Sequence, residues 1–207
     1  SNIMQNISSY GNIGWWPPLT SNGSDATSLA ATAWYNGTLG GMNSNGVANT
    51  SLKYWYNNQP LIGACANLTT ANSLYVLNGP VSINGATCFN IIAQNITLDC
   101  AGFNITGNNT ANTYGIYSNS SNTTLKNCNI SNFTHGVYFN VANGGTIQNI
   151  IANSTVASGR GIYLYFSSNN AIINSTGFSN SSYGIYLSSS SNNTIINSTG
   201  TSLTSGY

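Results

Sequence analysis

Groups able to do acid, base or nucleophilic chemistry are few in this chain. Its 207 residues hold two carboxylate side chains, Asp25 and Asp99, three cations, Lys53, Lys126 and Arg160, and one imidazole, His135. Glycoside hydrolysis ordinarily needs two carboxylates flanking one bond. Asp25 stands outside the repeated part of the sequence, and Asp99 sits in a Leu-Asp-Cys phrase where bonding to local backbone is the simpler role. Calcium-dependent lyase chemistry wants several acidic ligands, which the composition does not supply. A Ser-His-Asp triad would have to use His135. That residue occupies a slot held elsewhere by Tyr114, Arg160 and Tyr183, so it reads as ordinary variation at an exposed position. The cysteines, at 65, 88, 100 and 128, match no zinc spacing. The expectation is no catalytic residue, no metal and no cofactor.

The abundant chemistry is that of asparagine. Asn-X-Ser/Thr acceptors occur at Asn6, Asn22, Asn36, Asn49, Asn67, Asn95, Asn104, Asn108, Asn119, Asn122, Asn129, Asn132, Asn153, Asn174, Asn180, Asn192 and Asn197. A chain this rich in Asn, Ser and Thr makes some sequons by chance. Their number and predicted exposure nevertheless point to N-glycosylation and so to an extracellular or cell-surface location. In that setting the even set of cysteines would form two disulfides.

Composition excludes other classes. Only 2% of residues are charged and the net charge is +1, against about a quarter charged in an ordinary domain. There is no basic patch for nucleic acid, and no apolar run approaches the roughly 18 residues of a membrane span. Ser1–Tyr10 has neither the basic start nor the apolar stretch of a signal peptide, so Ser1 is read as a mature or trimmed N-terminus. Apolar residues make up 41% of the chain and recur at fixed intervals, which argues against disorder.

The positioning element is a repeated phrase: Tyr114-Gly-Ile-Tyr, His135-Gly-Val-Tyr, Arg160-Gly-Ile-Tyr and Tyr183-Gly-Ile-Tyr, with a fifth copy starting at Gly206-Tyr207. The glycines are separated by 21, 25, 23 and 22 residues, a period that signals a solenoid. Local patterning is β, with two-residue alternation and Ser/Asn/Gly turns. The reading is an all-β, right-handed parallel β-helix. Three short strands and three turns per coil fit the period, and coils would stack about 4.8 Å apart.

Alternation assigns faces. Ile116, Val137, Ile162 and Ile185 point inward, as do Ser118, Phe139, Leu164 and Leu187 two residues on. Tyr117, Tyr138, Tyr163 and Tyr186 then point outward as a stacked column. A second strand turns Leu125, Ile147, Ile172 and Ile195 inward. Asn170 and Asn193 align as an internal ladder, with amides bonding from coil to coil. Asn104, Asn129, Asn153, Asn174 and Asn197 recur at intervals of 25, 24, 21 and 23 residues. They are expected to form an outward glycan column.

The segment from Cys65 to Gly107, above all Ile96-Thr-Leu-Asp-Cys-Ala-Gly-Phe-Asn-Ile-Thr-Gly107, closely resembles the NosD-like right-handed β-helix repeats of archaeal and some bacterial surface proteins. The resemblance covers about 65–207 and implies a fold and a cell-surface setting, but no single activity. Copper delivery, the role attached to that family name, lacks ligands here beyond Met4, Met42 and His135. The resemblance also suggests the pairs Cys65–Cys88 and Cys100–Cys128. The second pair follows equivalent strands one coil apart.

Residues 1–64 read as a separate N-terminal cap or assembly segment, and 65–207 as the β-helix, continuing beyond the given C-terminus if the chain is a fragment. All four tryptophans, Trp15, Trp16, Trp34 and Trp55, fall in the first segment. Either they cover the open edge of the first coil or they pack on a neighbouring subunit. The last rung begins without finishing, so another molecule or more chain would complete it. Three functions follow in order. The first is a structural, heavily N-glycosylated extracellular protein whose partners are its own copies and covalent glycans, self-assembling through these tryptophans and the Tyr column into a filament or coat. The second is a carbohydrate-binding adhesin using the outward tyrosines. The third is a degenerate polysaccharide-active enzyme. With so few titrating groups, stability is expected to depend little on pH.

Overall fold

The computed structural model of the chain describes residues 61–204. They form a right-handed solenoid of about six coils, all β and without helices. β1 (Leu61–Ile62) lies one turn before the first coil, which holds β2 (Ala66–Leu68), β3 (Leu74–Leu77), with which β1 pairs, and β4 (Val81–Ser82). The second holds β5 (Phe89–Ile91), β6 (Thr97–Asp99) and β7 (Asn104–Thr106). Two coils of two long strands follow: β8 (Tyr114–Ser118) with β9 (Thr124–Ser131), then β10 (His135–Asn140) with β11 (Thr146–Ser154). The fifth has β12 (Arg160–Tyr165), β13 (Ala171–Ile173) and β14 (Thr176–Ser179); the sixth has β15 (Ile185–Ser188), β16 (Thr194–Ile196) and β17 (Thr199–Ser202). The expected three strands per coil thus fuse to two where β9 and β11 run through a corner.

Every ladder is parallel. One sheet of six strands runs β15-β12-β10-β8-β5-β2, and the rest join an eleven-stranded sheet that folds around that corner. The fold follows from residue choice. Most inward positions in the strands are apolar and fill the bore: Phe89, Ile116, Val137 and Ile162 stack in one column and Leu98, Leu125, Ile147 and Ile172 in another, all fully buried. Ile195 continues the second column in register with Ile172, yet it is 47% exposed. No strand pairs beyond it among the described residues.

The phrase glycines are explained by crowding, not by backbone twist: Gly115, Gly136, Gly161 and Gly184 all keep negative φ. A Cβ on Gly136 would lie 2.7 Å from Ala152 Cβ, and one on Gly161 would lie 2.6 Å from Gly177 Cα. The opposing column reads Ile105, Ile130, Ala152, Gly177, Gly200 in successive coils. Side-chain volume falls along it, and the nearest atom an added Cβ would meet changes from side chain at Gly115 and Gly136 to backbone at Gly161 and Gly184.

Corners are built from asparagine and serine. Among the described residues, twelve of the seventeen non-glycine residues with positive φ are Asn, the residue that tolerates the left-handed conformation best after glycine. In Ile172-Ile-Asn-Ser-Thr-Gly177, Asn174 turns the corner with φ 48°. Ser175 then points inward, donates to the Ile173 carbonyl at 2.8 Å and accepts the Ile150 N–H at 3.1 Å. Ser198 repeats this one coil on.

Two expectations are corrected here. The sequon column does not form as one line. Asn104 and Asn129 share a register, but Asn129 stands beside Ile151, Asn153 stands beside Ser131 and Phe178, and Asn174 with Asn197 belongs to the preceding corner. Coil lengths differ, so near-equal spacing in sequence lands on different registers. The line that does form at that corner is Asn127, Asn149, Asn174, Asn197, with the Asn149 amide donating to Asn127 Oδ1 at 3.0 Å. The internal ladder at Asn170 exists, but through backbone. Asn170 Oδ1 accepts the Gly145 N–H at 2.6 Å, its Nδ2 donates to the Ala142 carbonyl at 3.0 Å, and its own N–H donates to Asn193 Oδ1 at 2.8 Å.

Both pairs that the resemblance suggested are disulfides, and Cys65–Cys88 joins adjacent coils just as Cys100–Cys128 does. Cys65–Cys88 spans 23 residues with Cα atoms 4.5 Å apart, and Cys100–Cys128 spans 28 with Cα atoms 4.9 Å apart.

Candidate functional site on the aromatic face

The six-stranded sheet carries the one extended cluster of unusual side chains among the described residues. Tyr117, Tyr138, Tyr163 and Tyr186 lie in register on its outer face. Their ring centroids are 5.5, 4.8 and 5.4 Å apart in turn. The rings are half-buried against each other, which costs each hydroxyl some water. Burial, then the neighbouring tyrosines, pushes the Tyr138 phenol up to about 12. Tyr114 and Tyr163 shift the same way, burial again coming first.

A second column, Tyr114, His135 and Arg160, lies beside the first in register. Tyr183 precedes Gly184 as these three precede their glycines, and its ring lies 4.7 Å from Tyr186. Tyr114 packs on His135 at 5.5 Å and on Tyr138 at 5.0 Å. The Arg160 guanidinium sits 4.5 Å from the Tyr163 centroid and 4.7 Å from that of Tyr186, a cation held over two π-faces. Alternation would put residues three apart on opposite sides. The corner glycine breaks that rule: in β8 both Gly115 and Ile116 are buried, so Tyr114 and Tyr117 emerge together. The phase of the phrase was the available signal for this second column, and strict alternation hid it.

His135 is therefore not on an exposed position. It is 8% exposed, sandwiched by Tyr114, Tyr138 and Tyr163. Its Nδ1 accepts the Arg160 N–H at 3.1 Å. Desolvation, then the Arg160 charge, lowers its pKa to about 4, so the ring is neutral at ordinary pH.

Asp99 lies in the other sheet. Its Oδ2 pairs with Lys126 Nζ at 3.5 Å, and its Oδ1 accepts the Ala101 N–H and the Asn127 amide, each at 2.9 Å. The carboxylate is spent on a corner, as its sequence context suggested. His135 and Asp99 thus sit on different sheets, and nothing joins them into a catalytic pair.

The acceptor asparagines sort by exposure. Asn67, Asn95, Asn104, Asn108, Asn119, Asn122, Asn153, Asn174, Asn180, Asn192 and Asn197 are exposed, while Asn129 and Asn132 are half-buried. The Asn129 amide donates to the Gly102 carbonyl at 3.1 Å, and that of Asn95 donates to Asn72 Oδ1 at 2.7 Å. Asn6, Asn22, Asn36, Asn49, the four tryptophans and Gly206-Tyr207 lie outside the described residues. No helix among the described residues is long and apolar enough to cross a membrane.

No curated protein and no solved structure matches the chain. Residues 94–205 match the family described as "Right handed beta helix region", which spans the coils that carry the aromatic face. The chain belongs to that right-handed β-helix family.

Proposed function

We propose that this is a structural, heavily N-glycosylated extracellular protein whose copies assemble into a surface filament or coat. The observation that carries the reading is the corner chemistry. Coil after coil is turned by Asn and closed by Ser, and none of the described acceptor asparagines is buried. A solenoid made this way needs almost no charge, and solubility then falls to amides, hydroxyls and attached glycans. The Ile96–Gly107 phrase supports a NosD-like surface setting, and two disulfides suit an oxidising compartment. The aromatic N-terminal segment and the half-exposed Ile195 and Ile196 on the last coil supply surfaces for self-association. The engagement of Asp99 at its corner, away from His135, favours a non-enzymatic role.

Glycopeptide mass spectrometry on native material, with sedimentation of the same sample, tests the reading. We expect sugar on several exposed acceptors and mass far above 21.7 kDa per particle. Unmodified monomers would reject it.

A further inference from the structure

We propose that the aromatic face is a non-cleaving platform for an extended anionic polysaccharide, one carrying carboxylate or sulfate groups, lying along the solenoid axis. This goes beyond assembly and does not depend on it.

Three observations converge. The platform is translationally periodic. Rings recur every coil in register, at 4.8 to 5.5 Å, so it suits a ligand that also repeats. Sugar rings offer C–H faces to such rings, and their hydroxyls meet the phenols at the edge. The face also has an unbalanced charge. Arg160 is the only ionised side chain on this sheet among the described residues, since Asp99 and Lys126 pair with each other on the other one. One donor on Arg160 Nη1 reaches the Ser158 carbonyl at 3.3 Å, and Nε is buried without a partner, so the N–H groups that could meet a ligand are the remaining ones on the Nη atoms. A guanidinium stacked on rings, with N–H donors left over, is the arrangement that takes an oxyanion.

The third observation is backbone strain at the rim of the face. Beside the tyrosines, Val141 and Phe166 occupy a corner in the left-handed region, at φ 61° and 47°. Most such positions among the described residues are Asn, and the next coil uses Ser189 here. Bulky apolar residues are disfavoured in that conformation. Both are also half in water, at 56% and 50% exposure; the Phe166 ring meets Tyr165 edge-on at 4.5 Å and presents the rest of its surface to solvent. Residues kept in this way at a face's rim are accounted for by contact with a ligand. The nearest imidazole, His135, is buried beneath the rings, and no carboxylate lies on this sheet to start hydrolysis.

The test is calorimetric titration of the full chain with a hexameric uronate oligosaccharide, a sulfated oligosaccharide and a neutral cello-oligosaccharide. We expect at least one anionic probe to bind, and the neutral one to bind about tenfold more weakly or not at all. Arg160→Met should weaken the anionic probe by about tenfold. Phe166→Asn should weaken it several-fold without lowering the melting temperature, because Asn suits the corner better; this keeps the test valid if another variant misfolds. Equal binding of the neutral probe, unchanged affinity in both variants, no binding of either anionic probe, or shortened oligosaccharide after incubation would each overturn the proposal.

Discussion

His135 is the titratable group whose surroundings change its chemistry most. Its folded pKa of about 4 lies below the ordinary 6.5, so the unfolded chain takes up the proton first. The stability tied to neutral His135 is complete above about pH 6.5 and is lost as pH falls from there to about 4. Urea unfolding across that window should show a loss on the order of 2 kcal/mol, and His135→Phe should flatten the curve. The sequence-based expectation that stability depends little on pH misses this one buried imidazole. It was missed because alternation placed His135 outside, whereas the corner glycine sends residues on both sides of the step toward the rings.

At the scale of elements, the phrase glycines hold two sheets together at one corner. Gly161→Ala forces a Cβ against Gly177 Cα and the Ala152 carbonyl, both backbone atoms that cannot rotate away. We expect a loss of about 3 kcal/mol, read from denaturant midpoints, whereas Gly85→Ala on an open loop should be mild by comparison despite its φ of 72°. Replacing Cys100 and Cys128 by serine should cost about 3 kcal/mol, seen as a lower midpoint that reductant no longer shifts as far as in the parent chain.

These elements also mark what a sequence can disclose. The Gly-Ile-Tyr period, the inward Ile column and the outward Tyr column were legible because a strand alternates with period two. Asn174 and Asn104 looked equivalent because both begin sequons. One turns a corner and the other sits in a strand, and only register distinguishes them. Asn127 and Asn149, which share the corner line with Asn174, carry no sequon and so gave no signal.

At the scale of the whole molecule, the described solenoid rests on hydrogen-bonded corners and a largely apolar bore, with one ion pair among its described residues. Its melting temperature should therefore move little between low and high salt, in contrast to a domain stabilised by surface charge networks. The same lack of charge leaves little electrostatic repulsion between copies. Under the proposed assembly, the half-exposed Ile195 and Ile196 would contribute apolar contact between copies. Electron microscopy of purified native material is the most direct test of the structural role. The account predicts ordered fibres or sheets with a regular repeat; a uniform field of separate, monomer-sized particles at all concentrations would contradict it.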